Sequence, residues 1–317
     1  MATPTHDQGG AAMTTSTPAF DTPEPIHVLI DVPAAVVRIT ASDRADTVVE
    51  VRPSDEFDDA DVEAARDVQI DHAGGRLLVR ADPASPSSAP GWGLSFGRLV
   101  ESPASWARSL LRGQGSVQVA IHLPAGSRVD ARAAAGLHCR GPLGQVAYTA
   151  SYGDIRVEQA GRLRLRTTHG DISVERAAGH AEVTTTNGDI RLGRIDGTAV
   201  VKSAHGDVRI GEVTGELRLN TAYGEVTIDR APAGVVAKTA YGDVNIGEVI
   251  SGAVVMETAG GGLDVGIGEG SAAWLDVSSK HGVVDVRLDP ADGPGTAENV
   301  VEVRAHTAYG DIVIHRS

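Results

Sequence analysis

Six acidic residues occupy one fixed place in a repeating pentapeptide: Asp154, Asp171, Asp189, Asp207, Glu225 and Asp243 each directly follow a glycine. Carboxylates held in register could bind a hard cation through oxygen or act as a general acid and base. Calcium-binding nonapeptide rolls need G-G-x-G-x-D-x-U-x at every half turn. Here the acid comes once per repeat and the flanking glycines are missing. An acid–base pair needs two carboxyls whose surroundings drive their pKa values apart, which a uniform row does not supply without a cleft. In water, carboxylates about 5 Å apart repel by only about 1 kcal/mol per pair, so such a row is tolerated without a metal. The sequence therefore predicts no catalytic residue, metal or cofactor.

Other reactive side chains fit the same reading. His169 and His205 stand at the position taken elsewhere by Tyr152, Asn187, Tyr223 and Tyr241, as surface fillers do. The single cysteine, Cys139, has no disulfide partner and no ligand at metal spacing, and reads as a small buried hydrophobe. Neither H-E-x-x-H nor G-x-x-x-x-G-K occurs. The expectation is a protein that is not an enzyme.

Basic residues form the candidate interaction surface. Arg156, Arg191 and Arg209 fall at outward positions of one expected strand, and Arg164, Arg166, Lys202, Arg218 and Lys238 at those of a second. Such stripes either pair with acids across coils or dock an acidic partner or polyanionic glycan. Nucleic acid is not expected, because the net charge is −14 and phosphate binding depends on displaced counterions. Arg outnumbers Lys 25 to 3, which reads as the codon bias of a GC-rich genome. The acidity is concentrated between Asp43 and Asp71, with eleven acids against three Arg.

The elements that position these residues follow from the glycines. Gly153, Gly170, Gly188, Gly206, Gly224 and Gly242 are spaced by 17 and then four times by 18. So short a period marks a solenoid, whose units bury their apolar faces only by stacking. Apolar residues two and four after each glycine, from Ile155 and Val157 to Val244 and Ile246, alternate as in a strand. A second strand precedes the next glycine, and a weaker glycine row (Gly161, Gly179, Gly197, Gly215) marks a second turn. The fold class is all-β: a parallel β-solenoid, β-helix or β-roll-like, with coils of about 18 residues and an irregular N-terminal β cap. Each glycine and its acid form a structural corner turn, with the glycine at positive φ. The Thr or Ser three before the glycine is expected to form a hydroxyl ladder, each bonding its neighbour in the next coil.

The expected organisation is a disordered tail over 1–25, a β cap over 26–82 with a short helix at "DADVEAARDV", and a loop or amphipathic insertion over 83–116. The solenoid covers 117–317 and is most regular over 136–250. The first 25 residues have no basic n-region or apolar h-region, and no run of 18 apolar residues occurs, so a cytoplasmic protein without a transmembrane segment is expected. The sequence stops at "TAYGDIVIHRS" in mid-coil, which predicts an uncapped last strand and either a protein partner or self-association through the solenoid end.

The "GDI.V" and "GDVRIGEV" corners, the "HLPAGSRV" lead-in and the closing "TAYGDIVIHRS" resemble the bacterial domain-of-unknown-function family catalogued as putative adhesins with β-strand repeats, especially its actinobacterial members. The resemblance covers residues 24–317 and implies the repeat fold. It carries no catalytic or binding residue onto this chain. The function expected is a noncatalytic scaffold or interaction protein, with an exported surface adhesin and a ligand-sensing accessory protein as alternatives.

Overall fold

The computed structural model describes residues 17–81, 115–133, 135–289 and 298–317. The N-terminal part comprises β1 (Ala19–Asp21), β2 (His27–Val32), β3 (Ala35–Ser42), β4 (Asp46–Pro53), helix α1 (Asp59–Arg66), β5 (Val68–Ala73) and β6 (Arg76–Ala81). Then come β7 (Val117–Pro124), β8 (Arg128–Ala133) and two long strands, β9 (Leu137–Ala150) and β10 (Ile155–Arg166), each of which serves both faces of the solenoid. The regular coils follow as β11 (Ile172–Ala177), β12 (Ala181–Thr184), β13 (Ile190–Ile195), β14 (Ala199–Lys202), β15 (Val208–Val213), β16 (Leu217–Asn220), β17 (Val226–Ala231), β18 (Val235–Lys238) and β19 (Val244–Val249). The last strands are β20 (Gly252–Gly260), β21 (Leu263–Ile267), β22 (Ser271–His281), β23 (Val284–Val286), β24 (Asn299–Tyr309) and β25 (Ile312–Arg316).

In the regular coils every strand pairs in parallel with the strand two further on, in the register set by the 18-residue repeat. Ile172, Ile190, Val208, Val226 and Val244 thus lie in one file, all fully buried. Each such side chain contributes about 1.5–3 kcal/mol by leaving water. The core contains few aromatic rings, so its stability comes from repetition of these files.

The corner glycines behave as the spacing requires. Gly188 has φ 141°, and a Cβ there would lie 2.2 Å from the Gly170 carbonyl oxygen, so positive φ and the close approach of successive coils both exclude a side chain. The hydroxyl row departs from expectation. Thr167, Thr221 and Thr239 donate to the carbonyls of His169, Tyr223 and Tyr241, and Thr185 donates to that of Gly170. The threonines bond to corner carbonyls and not to each other; the His169 and Tyr241 carbonyls already accept the N–H groups of Gly153 and Gly224 and take the hydroxyl as a second donor.

The stack does not follow sequence order at its ends. At the N-terminal end β2 lies between β6 and β8, and β3 between β7 and β9. Antiparallel β5 and β4 then cover β6 and β7, β1 pairs with β4, and Phe20 meets His72 across the end with ring centroids 4.9 Å apart. Helix α1 starts at the N-cap Asp58 and packs Ala64 and Ala65 on the core. Buried Asp61 accepts from the backbone N–H of Ser116, which does most to hold its carboxyl below the usual range, and from that of Asp55. The tail expected over 1–25 lies mostly outside the described residues, though Ala19–Asp21 form β1; most of the insertion expected over 83–116 also lies outside them.

At the other end β24 and β25 insert between β20/β21 and β22/β23. The closing "TAYGDIVIHRS" is therefore an internal coil, contrary to the uncapped last strand expected from the sequence. His315 reaches Asp264 at 2.9 Å, and Arg316 donates to the Gly268 and Ser271 carbonyls. The terminal coil is β22/β23, and its inward positions face the open end. Leu275, Val284 and Val286 are each at least 36% exposed, whereas Val303, Ile312 and Ile314 beside them are fully buried.

Candidate functional site

The corner acids act on the backbone. Asp154 Oδ1 accepts the Asp171 N–H at 3.1 Å, Asp171 that of Asp189 at 2.9 Å, Asp189 that of Asp207 at 3.0 Å, and Asp207 that of Glu225 at 3.0 Å. Asp243 likewise accepts from Gly262 at 2.7 Å. The carboxylates therefore bond each coil to the next, in place of turn contacts within one coil. Glu225 has a longer side chain and reaches Thr227 and Asn245 instead. Among the described residues no three His, Cys, Asp or Glu side chains come together as a metal-binding group. The adjoining column stacks in parallel: Tyr152 on His169 and His205 on Tyr223 on Tyr241, with centroids 5.1–5.5 Å apart. Cys139 is buried, and burial pushes its thiol pKa up.

The basic residues fall into three files. Arg156, Arg191 and Arg209 share one face with Ser173 between the first two. On the opposite face Arg164 and Arg218 share a file, while Arg166, Lys202 and Lys238 form a separate one beside it. Five of the eight pair with acids: Arg156 with Asp154, Arg191 with Asp189, Arg164 with Glu182, Arg218 with Glu216 and Lys238 with Glu257. Asp196, held between Arg194 and Arg176, has its pKa lowered by hydrogen bonds from both.

Sequence reading missed Arg128, Arg132 and Arg162. Register puts Arg132 two rungs from Arg166, with Thr149 between them, and Arg128 two rungs from Arg162, with Gln145 between them. The signal was available: residues 128, 130 and 132 alternate outward as 162, 164 and 166 do. The strand β8, however, precedes the regular repeat. Among the described residues none of Arg128, Arg132, Arg162 and Arg166 has an ion pair within 4 Å. A groove of about 580 Å³ runs past Arg128, Gln145, Arg162 and His180, and one of about 390 Å³ past Asp31, Arg132, Thr149 and Arg166. The string GLSFG over 93–97 spells G-x-S-x-G, contrary to a reading of the sequence as free of that motif, and lies outside the described residues.

A family model, Toastrack DUF4097, matches residues 27–315. The chain belongs to the Toastrack DUF4097 family. The Toastrack match spans the N-terminal cap and every coil. The chain is similar to the crystal structures of a putative adhesin from Bacteroides fragilis NCTC 9343 (11% identity, 96% of this chain and 98% of that one, TM-score 0.35) and another from Parabacteroides distasonis ATCC 8503 (11%, 94% and 96%, 0.31). A putative cell adhesion protein from Clostridium sporogenes ATCC 15579 is similar at 10% identity over 95% and 99%, with TM-score 0.17. No curated protein matches the chain.

Proposed function

We propose that this Toastrack chain is a noncatalytic scaffold that works in the cytoplasm and joins a second copy of itself through the open end of its solenoid. The observation that carries this reading is the apolar terminal coil, where Leu275, Val284 and Val286 occupy core positions with no coil beyond them among the described residues. Unpaired strand edges with exposed apolar side chains favour strand addition.

The two internal segments 82–114 and 290–297 are poorly suited to cover this end. Residues 290–297 read PADGPGTA and have no large apolar side chain. The 33 residues 82–114 leave and rejoin the solenoid at β6 and β7, eleven rungs from β22. A return path of about 105 Å uses nearly all of a stretch that spans at most about 120 Å.

Charge also suits a second copy. Between Ser271 and Asp289 there are three acids and two bases, so the terminal coil contributes little of the −14 carried by the chain. An antiparallel pair of β22 strands centred on Ser278 sets Asp276 against the second copy's Lys280 twice. Because the N-terminal end is covered, open end can meet only open end, giving a closed two-fold dimer and no fibre.

Sedimentation over a wide concentration range tests this. A dimer that grows no further is expected, and Val284→Lys and Leu275→Lys, each checked for unchanged circular dichroism, should be monomeric. A strictly monomeric wild type, or growth into longer assemblies, would overturn the dimer. Protease cleavage on intact cells would overturn the cytoplasmic placement and favour the adhesin alternative. Ester hydrolysis lost in Ser95→Ala would overturn the noncatalytic reading.

A further inference from the structure

We propose that the file running from β8 to β18 binds a linear acidic polysaccharide with one carboxylate per disaccharide. Four cations lie in this file, Arg132, Arg166, Lys202 and Lys238, each two rungs from the next and all exposed. The intervening rungs carry Thr149, Thr184 and Asn220, which are neutral and both donate and accept hydrogen bonds. Basic and neutral polar groups thus alternate along the solenoid axis without interruption for seven rungs.

The spacing selects the ligand. Two rungs measure about 10 Å, the length of one disaccharide in an extended polysaccharide. A uronic acid polymer of this kind offers a carboxylate to each cation and hydroxyls to each intervening rung. Arg matches a carboxylate bidentately, and the parallel sheet holds the spacing without reorganisation. Nucleic acid places its charges more closely and faces a protein of net charge −14.

The file has limits at both ends. The groove of about 390 Å³ at Arg132, Thr149 and Arg166 is closed on one side by Asp31, one rung beyond Arg132. At the other end Glu257 pairs with Lys238 at 2.8 Å. Carboxylates at these positions repel an anionic chain that runs further, and with Lys238 engaged by Glu257 the cations of the file without an ion pair among the described residues are Arg132, Arg166 and Lys202, so the site accommodates about three disaccharides, one carboxylate to each, spanning roughly 30 Å. The neighbouring Asp130 and Glu182 lie in the adjacent file, where His27 and Arg164 engage them. The site is remote from the open end, so it does not depend on the proposed dimer.

Titration calorimetry with hyaluronate oligosaccharides tests the proposal on the full chain. Affinity should rise from the disaccharide to the hexasaccharide and then level off. The double substitution Arg166→Gln, Lys202→Gln should weaken hexasaccharide binding by about tenfold or more, the loss of at least one charge-assisted hydrogen bond. Arg191→Gln, on the opposite face, should bind within about twofold of wild type, well under that single-bond effect. No binding, no dependence on length, equal weakening by Arg191→Gln, or tighter binding of polyphosphate would each overturn it. Both variants alter exposed side chains, and matching melting curves confirm that they fold.

Discussion

Asp189 shows how a residue that looked available for chemistry is used up by structure. Its carboxylate accepts the Asp207 N–H at 3.0 Å, while its other oxygen meets Arg191 at 2.8 Å. The N–H is the essential partner, because a backbone donor left without an acceptor at a coil junction costs more than a solvated ion pair returns. Asp189→Asn keeps an accepting oxygen and should leave stability nearly unchanged. Asp189→Ala should cost about 1 kcal/mol. Urea denaturation of the two variants checks this, and equal losses would mean that charge, not the hydrogen bond, is what the corner needs.

Among the elements, β25 decides the C-terminal architecture. It supplies partners to both β21 and β23 and buries Ile312 and Ile314. A chain ending at Gly310 loses about 3–6 kcal/mol of apolar burial from these two residues. It also leaves β23 with no parallel partner. Its melting temperature should fall, and amide exchange should show β22 and β23 opening before the regular coils. Unchanged protection of β23 in that variant would contradict the inserted order of the stack.

The whole molecule is a polar rod with unlike ends: one is sealed by antiparallel strands and a helix, while the other shows core positions to solvent. Local stability should therefore fall toward β22 and β23. Hydrogen exchange in dilute solution should be faster there than in β13–β17, and should slow as protein concentration rises and the ends meet. Uniform protection at every concentration would argue against an open end.

The repeat was readable because a solenoid's core is local: glycine spacing fixes the coil, and alternation within each coil fixes which side chains face inward. The eight basic residues chosen from the repeat do lie outward, as Arg156 and Arg164 illustrate. What stayed hidden was the order of stacking at the ends, because insertion of β24 and β25 depends on contacts between strands far apart in sequence. The alternating file had the same cause: Arg132 joins Arg166 and Lys202 only once β8 is set in register beside β9. Sequence alone determined the coil, its corners and its inward files. Tertiary structure decided which coil is last and which cations share a line, since pairing between strands is set by the edges left free when the whole stack closes.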